Sequence, residues 1–84
     1  MHDLHVADLI HRQVIKTAKQ NNLKKVDKIL IELGTVIEHG AAINADNLEY
    51  NLGMLNEGSV AADAKIEIKQ IGGNIWRLVS IDGE

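Results

Sequence analysis

The last twenty or so residues contain two segments in which apolar and polar side chains alternate, joined by a pair of glycines. This pattern constrains the fold more than any other feature of the sequence. Residues 65–71 alternate apolar and charged side chains, which predicts a half-buried strand. Residues 74–82 form a second such segment. Its two faces carry Ile75, Val79 and Ile81 on one side and Trp76 and Leu78 on the other. Because Gly72-Gly73-Asn74 separates the segments, we predict a tight hairpin.

The first half of the chain alternates between helical and strand patterns. Residues 4–20 predict a helix from their apolar stripe, and Asn21-Asn22 ends it because Asn tolerates the left-handed conformation. The stripe consists of Val6, Leu9, Ile10, Val14 and Ala18. Val26–Leu33 predicts a strand that Gly34 ends, and residues 35–45 predict a loop with room for an extra strand at its start.

A second helix is predicted over about residues 46–57. Asp46 stands where the amino-terminal cap is expected, and Gly58 stands where the carboxyl-terminal cap is expected. Gly53 lies inside this helix, where glycine is costly, so we expect close packing there.

The order α-β-α-β-β predicts an α+β fold, with two helices packed on one face of a three-stranded sheet. Trp76 and Leu78 would then share the opposite face with Leu30. An apolar face without a helical cover favours self-association, so a homodimer is one expectation.

Composition excludes several classes of function. The 84 residues suffice for one domain, and the absence of cysteine excludes disulfides, a cysteine-ligated zinc site and a thiol nucleophile. A net charge of −3 and few basic clusters exclude a nucleic-acid partner. No apolar run is long enough to span a bilayer, so we expect no membrane partner and a cytoplasmic location. No phosphate-binding loop or nucleophile elbow is present, so we expect no enzymatic activity.

The first three residues, Met1-His2-Asp3, form a potential chelating sequence. The amine of Met1 and the amide nitrogen of His2 close a five-membered ring on a metal ion, and the His2 imidazole closes a six-membered ring with the same amide. The amide of Asp3 supplies a fourth nitrogen. This tetragonal nitrogen set suits Ni(II) or Cu(II). The alternative is a solvated terminal histidine that binds no metal.

The other histidines have structural alternatives as well. His5 lies one helical turn from His2 and could face the same ion, or it could be a solvated side chain. For His11, beside the apolar stripe, we expect a partly buried, hydrogen-bonded role rather than ligation. Glu38 and His39 could complete a metal shell, although a mobile polar loop is the preferred reading of that segment.

The opening residues also carry a family resemblance. Met1, His2, Leu4, Val6 and Ala7 fit a pattern of Met-His-Glu, an apolar residue, Ser, an apolar residue and Ala, with Asp3 in place of Glu and His5 in place of Ser. In this respect the chain resembles the HypA/HybF family of nickel metallochaperones, which mature [NiFe] hydrogenases and sometimes urease. The resemblance continues through residues 26–34, 48–58, 64–68 and 75–82.

The resemblance implies a transient Ni(II) site formed by Met1, His2 and Asp3. It also implies two protein partners, a maturation GTPase and the large subunit of a nickel enzyme. The family inserts a four-cysteine zinc domain between its last two strands, where this chain has only residues 70–74. We therefore expect a single nickel-binding domain over residues 1–84, with no zinc and a tight hairpin at 70–74. The alternative is an interaction or oligomerisation module that binds no metal.

Overall fold

The computed structural model describes residues 3–38 and 41–84. Its elements follow one another as α1 (Asp3–Gln20), β1 (Val26–Leu33), β2 (Ile37–Glu38), β3 (Ala41–Ala42), α2 (Ala45–Asn56), β4 (Lys65–Gln70) and β5 (Trp76–Gly83). The predicted α+β fold and the order α-β-α-β-β of its main elements are confirmed. The short strands β2 and β3 pair with each other within the segment predicted as a loop.

Helix α1 forms because most of its apolar stripe is buried, but Leu9, which was predicted as part of that stripe, is 36% exposed. Val6, Ile10 and Val14 are at most 3% exposed. The predicted stop is confirmed, since Asn22 has φ +57° and the N–H of Leu23 donates to the carbonyl of Ala18 at 2.9 Å. The helix therefore packs its buried side against the core and ends where the chain turns toward β1.

Strand β1 occupies the centre of the three-stranded sheet, in the order β4-β1-β5. It runs parallel to β4 and antiparallel to β5. Ile29, Ile31 and Leu33 are fully buried beneath the helices. The predicted strand Val26–Leu33 is confirmed to the residue.

The predicted tight hairpin at residues 70–74 is wrong. Strands β4 and β5 are not neighbours, because β1 lies between them. The connection from Ile71 to Ile75, here called the crossover link, instead passes over the end of β1. The N–H of Ile71 donates to the carbonyl of Leu33 at 3.0 Å, and the N–H of Gly34 donates to the carbonyl of Ile75 at 2.8 Å. The backbone groups of the crossover link therefore form hydrogen bonds with Leu33 and Gly34, not with one another across a hairpin.

The predicted apolar face of the sheet is also wrong. Trp76 and Leu78 lie opposite Leu33 and Ile31 and pack against the buried core. The physical reason is a register shift between Leu30 and Ile31, which leaves Val79 as an extra residue on β5. One extra residue reverses the alternation after it.

The sheet surface away from the helices carries charged pairs instead of an apolar patch. Arg77 Nε lies 2.5 Å from Glu32 Oε1, and Lys28 Nζ lies 3.2 Å from Glu67 Oε2. The basis for a homodimer through this surface is therefore removed.

The amino-terminal cap of helix α2 lies two residues earlier than the sequence indicated. The cap is Asn44, not Asp46, because the Asn44 side chain accepts hydrogen bonds from the N–H groups of Asp46 and Asn47 at 2.8 and 3.3 Å. Leu48 and Leu52 are fully buried. At the other end Gly58 has φ +76°, as predicted for the residue after the helix.

Candidate metal centre

The predicted metal site lies at the start of α1. Met1 and His2 fall outside the described residues, and Asp3 is the first residue of the helix. The ligand set Met1, His2 and Asp3 therefore stays a prediction. What the structure does give is the position of the helix start that follows directly after His2.

The start of α1 lies at the end of the sheet where β1 finishes. Only residues 21–25 separate α1 from β1, and both elements pack against the same core, so they run in opposite directions. The crossover link and Gly34 occupy this same end of the sheet. The short connection therefore places the described start of α1 on the side of the domain where β4 is connected to β5.

Backbone contacts fix this end of the sheet. The N–H of Thr35 donates to the carbonyl of Gly73 at 2.8 Å. A Cβ atom added to Gly34 would lie 2.1 Å from that carbonyl oxygen and 2.9 Å from the carbonyl oxygen of Ile75. Because no side chain fits between these atoms, Gly34 is required for the link to approach β1 so closely.

The histidines of α1 occupy different surroundings. His5 is exposed on the first turn of the helix, close in sequence to the predicted ligands. His11 is half-buried, and its Nδ1 lies 2.7 Å from Oδ1 of Asn56. The hydrogen-bonded role expected for His11 is confirmed, with Nδ1 as the donor because the amide oxygen accepts.

Asn56 is the polar residue of the core that the sequence did not reveal. It is 1% exposed, and its Nδ2 has no hydrogen-bond partner among the described atoms. Its position four residues after Leu52 on the apolar stripe of α2 was the available signal. The His11–Asn56 contact joins the middle of α1 to the end of α2.

The second candidate group, Glu38 and His39, is not tested. Glu38 lies in β2, whereas His39 lies outside the described residues. Within residues 3–38 and 41–84, no three histidine or carboxylate side chains are grouped closely enough to bind a metal ion together.

A groove between α2 and β4 was not predicted from the sequence. Gly53 opens onto it, since a Cβ atom at this position would have no neighbour within 4 Å. The close packing expected at Gly53 is therefore wrong. Acidic residues beside the leucine stripe of α2, at positions 46, 49 and 57, were the available signal.

Comparison with known proteins assigns a family. Residues 1–77 match the family described as "Hydrogenase/urease nickel incorporation, metallochaperone, hypA". The hydrogenase maturation factor HypA of Methanobrevibacter smithii is 38% identical over 71 residues, which cover 84% of this chain and 54% of that protein. The corresponding factor of Rhizobium leguminosarum bv. viciae is 31% identical over 78 residues, which cover 93% of this chain and 66% of that protein.

A solved structure gives the same fold. The solution structure of the Ni metallochaperone HypA from Helicobacter pylori matches with a TM-score of 0.81 and 17% identity, covering 99% of this chain and 97% of that chain. The chain spans about half the length of the two archaeal relatives from Methanobrevibacter smithii and Methanothermobacter thermautotrophicus. Among the described residues, neither helix has the length and apolar character needed to cross a membrane. The family match over residues 1–77, with relatives above 30% identity, shows that this chain belongs to the HypA family.

Proposed function

We propose that this chain is a non-enzymatic nickel chaperone that holds Ni(II) at Met1, His2 and Asp3 for delivery to a nickel enzyme. The observation that carries this proposal is the family match, which begins at residue 1 and so includes the chelating sequence. The ligands are the amine of Met1, the amide and imidazole of His2, and the backbone amide of Asp3.

The position of Asp3 in α1 supports this ligand set. The first four N–H groups of a helix have no acceptor within the helix. Asp3 is the first residue of α1, so its amide nitrogen can bind a metal without the loss of a helical hydrogen bond. The amides of His2 and Asp3 each lose a proton on binding Ni²⁺, so the complex is neutral. A neutral complex avoids repulsion from the partial positive charge at the helix start.

The same chemistry provides a route for release. Bound nickel competes with protons for the amine, the two amides and the imidazole, so affinity falls as pH falls. Four nitrogen ligands would also leave a nickel ion able to accept further ligands from an acceptor protein. These properties fit a cargo site, from which nickel must leave as well as bind.

The partners follow from the family. Hydrogenase maturation is the named role of the relatives, so the large subunit of a [NiFe] hydrogenase, or alternatively urease, is the proposed recipient. A maturation GTPase is the proposed helper. We propose no zinc site, because the chain has no cysteine and the crossover link spans only residues 71–75. In this proposal residues 1–84 act as a single nickel-binding domain in the cytoplasm.

The test is nickel titration by calorimetry on tag-free protein, with visible absorption to detect tetragonal Ni(II). His2→Ala should abolish high-affinity binding, and one glycine added before Met1 should do the same because it displaces the amine. His11→Gln is the matched control, since His11 lies on α1 but contacts Asn56. Equal nickel binding by the wild type and His2→Ala would contradict the proposal.

A further inference from the structure

Strand β4 is an open edge of the sheet. Among the described residues it has β1 on one side and no strand on the other. The N–H of Ile71, just after β4, donates to the carbonyl of Leu33 in β1. Because the backbone groups of a strand alternate in direction, those of Ile66, Ile68 and Gln70 point away from β1. No backbone hydrogen bond from elsewhere in the described part of the chain reaches these three residues.

The two edges of the sheet differ in regularity. Strand β4 pairs with β1 in unbroken register over all six of its residues. The pairing of β5 with β1 contains two register shifts, one of which leaves Val79 as an extra residue. A bulged edge is a poor template for a further strand, whereas a regular edge is a good one. The edge that another strand can extend is therefore β4.

Two isoleucines of β4 are left incompletely covered at this edge. Ile66 and Ile68 lie opposite Ile29 and Ile31 and pack against the core, so their side chains are on the helix side of the sheet. Both are only half-buried, although their partners in β1 are fully buried. A strand added beside β4 would cover the exposed part of both side chains, which is favourable.

An acidic groove of about 620 Å³ lies between α2 and the start of this edge, and Ile66 is one of the residues that line it. Asp46, Glu49 and Glu57 line its α2 side and are exposed. None of these three carboxylates forms an ion pair within the described ranges. Lys65 also lines the groove, but its Nζ lies 4.0 Å from a carboxylate of β4 itself. The groove is therefore complementary in charge to a basic ligand.

The centre of this groove is apolar. Tyr50 is 69% exposed and Met54 is 49% exposed, and both line the groove together with Gly53. The absence of a side chain at Gly53 leaves space between α2 and the edge strand. An apolar centre with a charged rim is the arrangement found in protein interfaces.

The spacing of the carboxylates matches the repeat of a strand. Glu49 and Glu57 are separated by about 12 Å along α2. In an extended segment, side chains four residues apart lie on the same face at a separation of about 13 Å. A segment with basic side chains at these two positions can therefore contact both carboxylates. The side chain midway between them then lies over the apolar centre of the groove.

We propose that the edge of β4 binds an extended segment of another protein, which adds to the sheet as a further strand. The segment carries a basic, an apolar and a second basic side chain at alternate positions. Its backbone pairs with Ile66 and Ile68, and its apolar side chain contacts Tyr50 and Met54. Backbone pairing supplies affinity in this mode of recognition, and alternate side chains supply specificity. None of these residues is a proposed nickel ligand, so the inference goes beyond the nickel site and does not depend on it.

The experiment uses a seven-residue probe peptide, Thr-Lys-Thr-Leu-Thr-Lys-Thr, blocked at both ends. It is titrated into isotopically labelled protein at low ionic strength with a metal chelator, and amide signals are followed by nuclear magnetic resonance. Binding should shift the signals of Ile66, Ile68 and Gly53, and added salt should weaken it. A probe peptide that does not bind, or that shifts signals elsewhere only, would overturn the proposal.

Methylation of the peptide backbone tests the added strand directly. One peptide is methylated at the amide nitrogens of its leucine and lysines, and another at those of the two threonines beside the leucine. Only one of these alternate sets faces β4 in a paired strand. One methylated peptide should therefore bind about tenfold more weakly or worse, while the other should bind like the parent. Equal effects of the two would show that the backbone edge is not used.

A charge exchange tests the acidic rim. Glu49→Lys with Glu57→Lys, called the groove variant, should weaken binding of the probe peptide by about tenfold or more. A peptide with glutamate in place of both lysines should prefer the groove variant over the wild type by a similar factor. Binding that ignores either change would overturn the proposal.

A matched control makes the same charge change elsewhere. Asp27→Lys with Asp82→Lys reverses two exposed carboxylates outside the groove and should leave affinity for the probe peptide unchanged. Circular dichroism checks that both double variants are folded. If this control weakened binding as much as the groove variant, the attraction would come from overall charge and the groove would not be the binding site.

Discussion

At each end of the central strand β1 a glycine lies against a backbone carbonyl oxygen, but the two ends contact different parts of the chain. At the end of β1, Gly34 lies against the carbonyl oxygen of Gly73, and at its start Gly83 lies against the carbonyl oxygen of Lys25. Neither glycine leaves room for a Cβ atom, since the nearest oxygen would be 2.1 and 2.0 Å away. The Gly34 end holds an internal link and the start of α1, whereas the Gly83 end holds the last residues of the chain.

This difference determines how each end responds to strain. The crossover link is tied to β4 on one side and β5 on the other, so it cannot move without disturbing the sheet. Within the described residues, Glu84 is held by backbone hydrogen bonds to Lys24 and Lys25. Equal crowding at the two ends should therefore have unequal costs, and four substitutions test this comparison.

Gly34→Ala should have the largest effect. The new methyl group would collide with two backbone carbonyls of the crossover link, so the link or β1 must shift. We expect a loss of about 3 kcal/mol or more in the free energy of unfolding. Urea unfolding followed by the fluorescence of Trp76, the single tryptophan, measures this loss. A loss below about 1 kcal/mol would show that the link is not held as tightly as its hydrogen bonds indicate.

Gly83→Ala should cost less, about 1–2 kcal/mol. The added methyl group meets the carbonyl of Lys25, but the end of β5 can move away. This movement would break the hydrogen bond from the N–H of Glu84 to the carbonyl of Lys25, at 2.9 Å. It would also break those from the N–H groups of Lys24 and Lys25 to the carbonyl of Glu84. The same urea titration measures the loss, and amide exchange should increase at Lys24 and Lys25 while the crossover link stays protected. A loss equal to that of Gly34→Ala would erase the distinction between the two ends.

The sequence predicted the parts of this fold that depend on local pattern. Three features each follow from residues that lie close together in the sequence: the buried stripe of α1, its end at Asn22 and the bounds of β1. The position of β1 between β4 and β5 does not. Two strands joined by a five-residue link can pair directly or flank a third strand, and the glycines of the link are compatible with both.

The prediction of which side chains of β5 share a face of the sheet was wrong for a related reason. A single extra residue, Val79, shifts the alternation of β5, and only the pairing with β1 reveals it.

The candidate metal site depended on a different kind of reasoning. The chelating nitrogens of residues 1–3 are properties of the covalent chain, so their chemistry could be predicted without a fold, whereas the start of α1 at Asp3 required the structure.

Gly53→Ala is the control that separates crowding from the general effect of losing glycine. A methyl group at Gly53 meets nothing within 4 Å, and the residue lies inside α2. Alanine favours a helix over glycine, so we expect the free energy of unfolding to rise by about 0.5–1 kcal/mol. Thermal and urea unfolding measure the gain. If the variant were destabilised, the space around each glycine would not explain the contrast between Gly34, Gly83 and Gly53.

His5→Ser should have the smallest effect, and it concerns only the end that holds the proposed nickel site. His5 is exposed on the first turn of α1, so its loss should leave the free energy of unfolding unchanged. The chelate rings formed by the amine of Met1 and the amide and imidazole of His2 do not involve His5, so the loss of His5 would leave them intact. We therefore expect nickel affinity to change by no more than about threefold, or roughly 0.6 kcal/mol.

Calorimetric titration beside His2→Ala makes this comparison quantitative. If His5→Ser lowered nickel affinity tenfold or more, the imidazole of His5 would belong to the metal shell. The site would then include a helical side chain, and nickel would be held by the fold as well as by the terminus. A small effect, beside a large one for His2→Ala, leaves the nickel bound by the terminus alone, ahead of a helix that serves to present it.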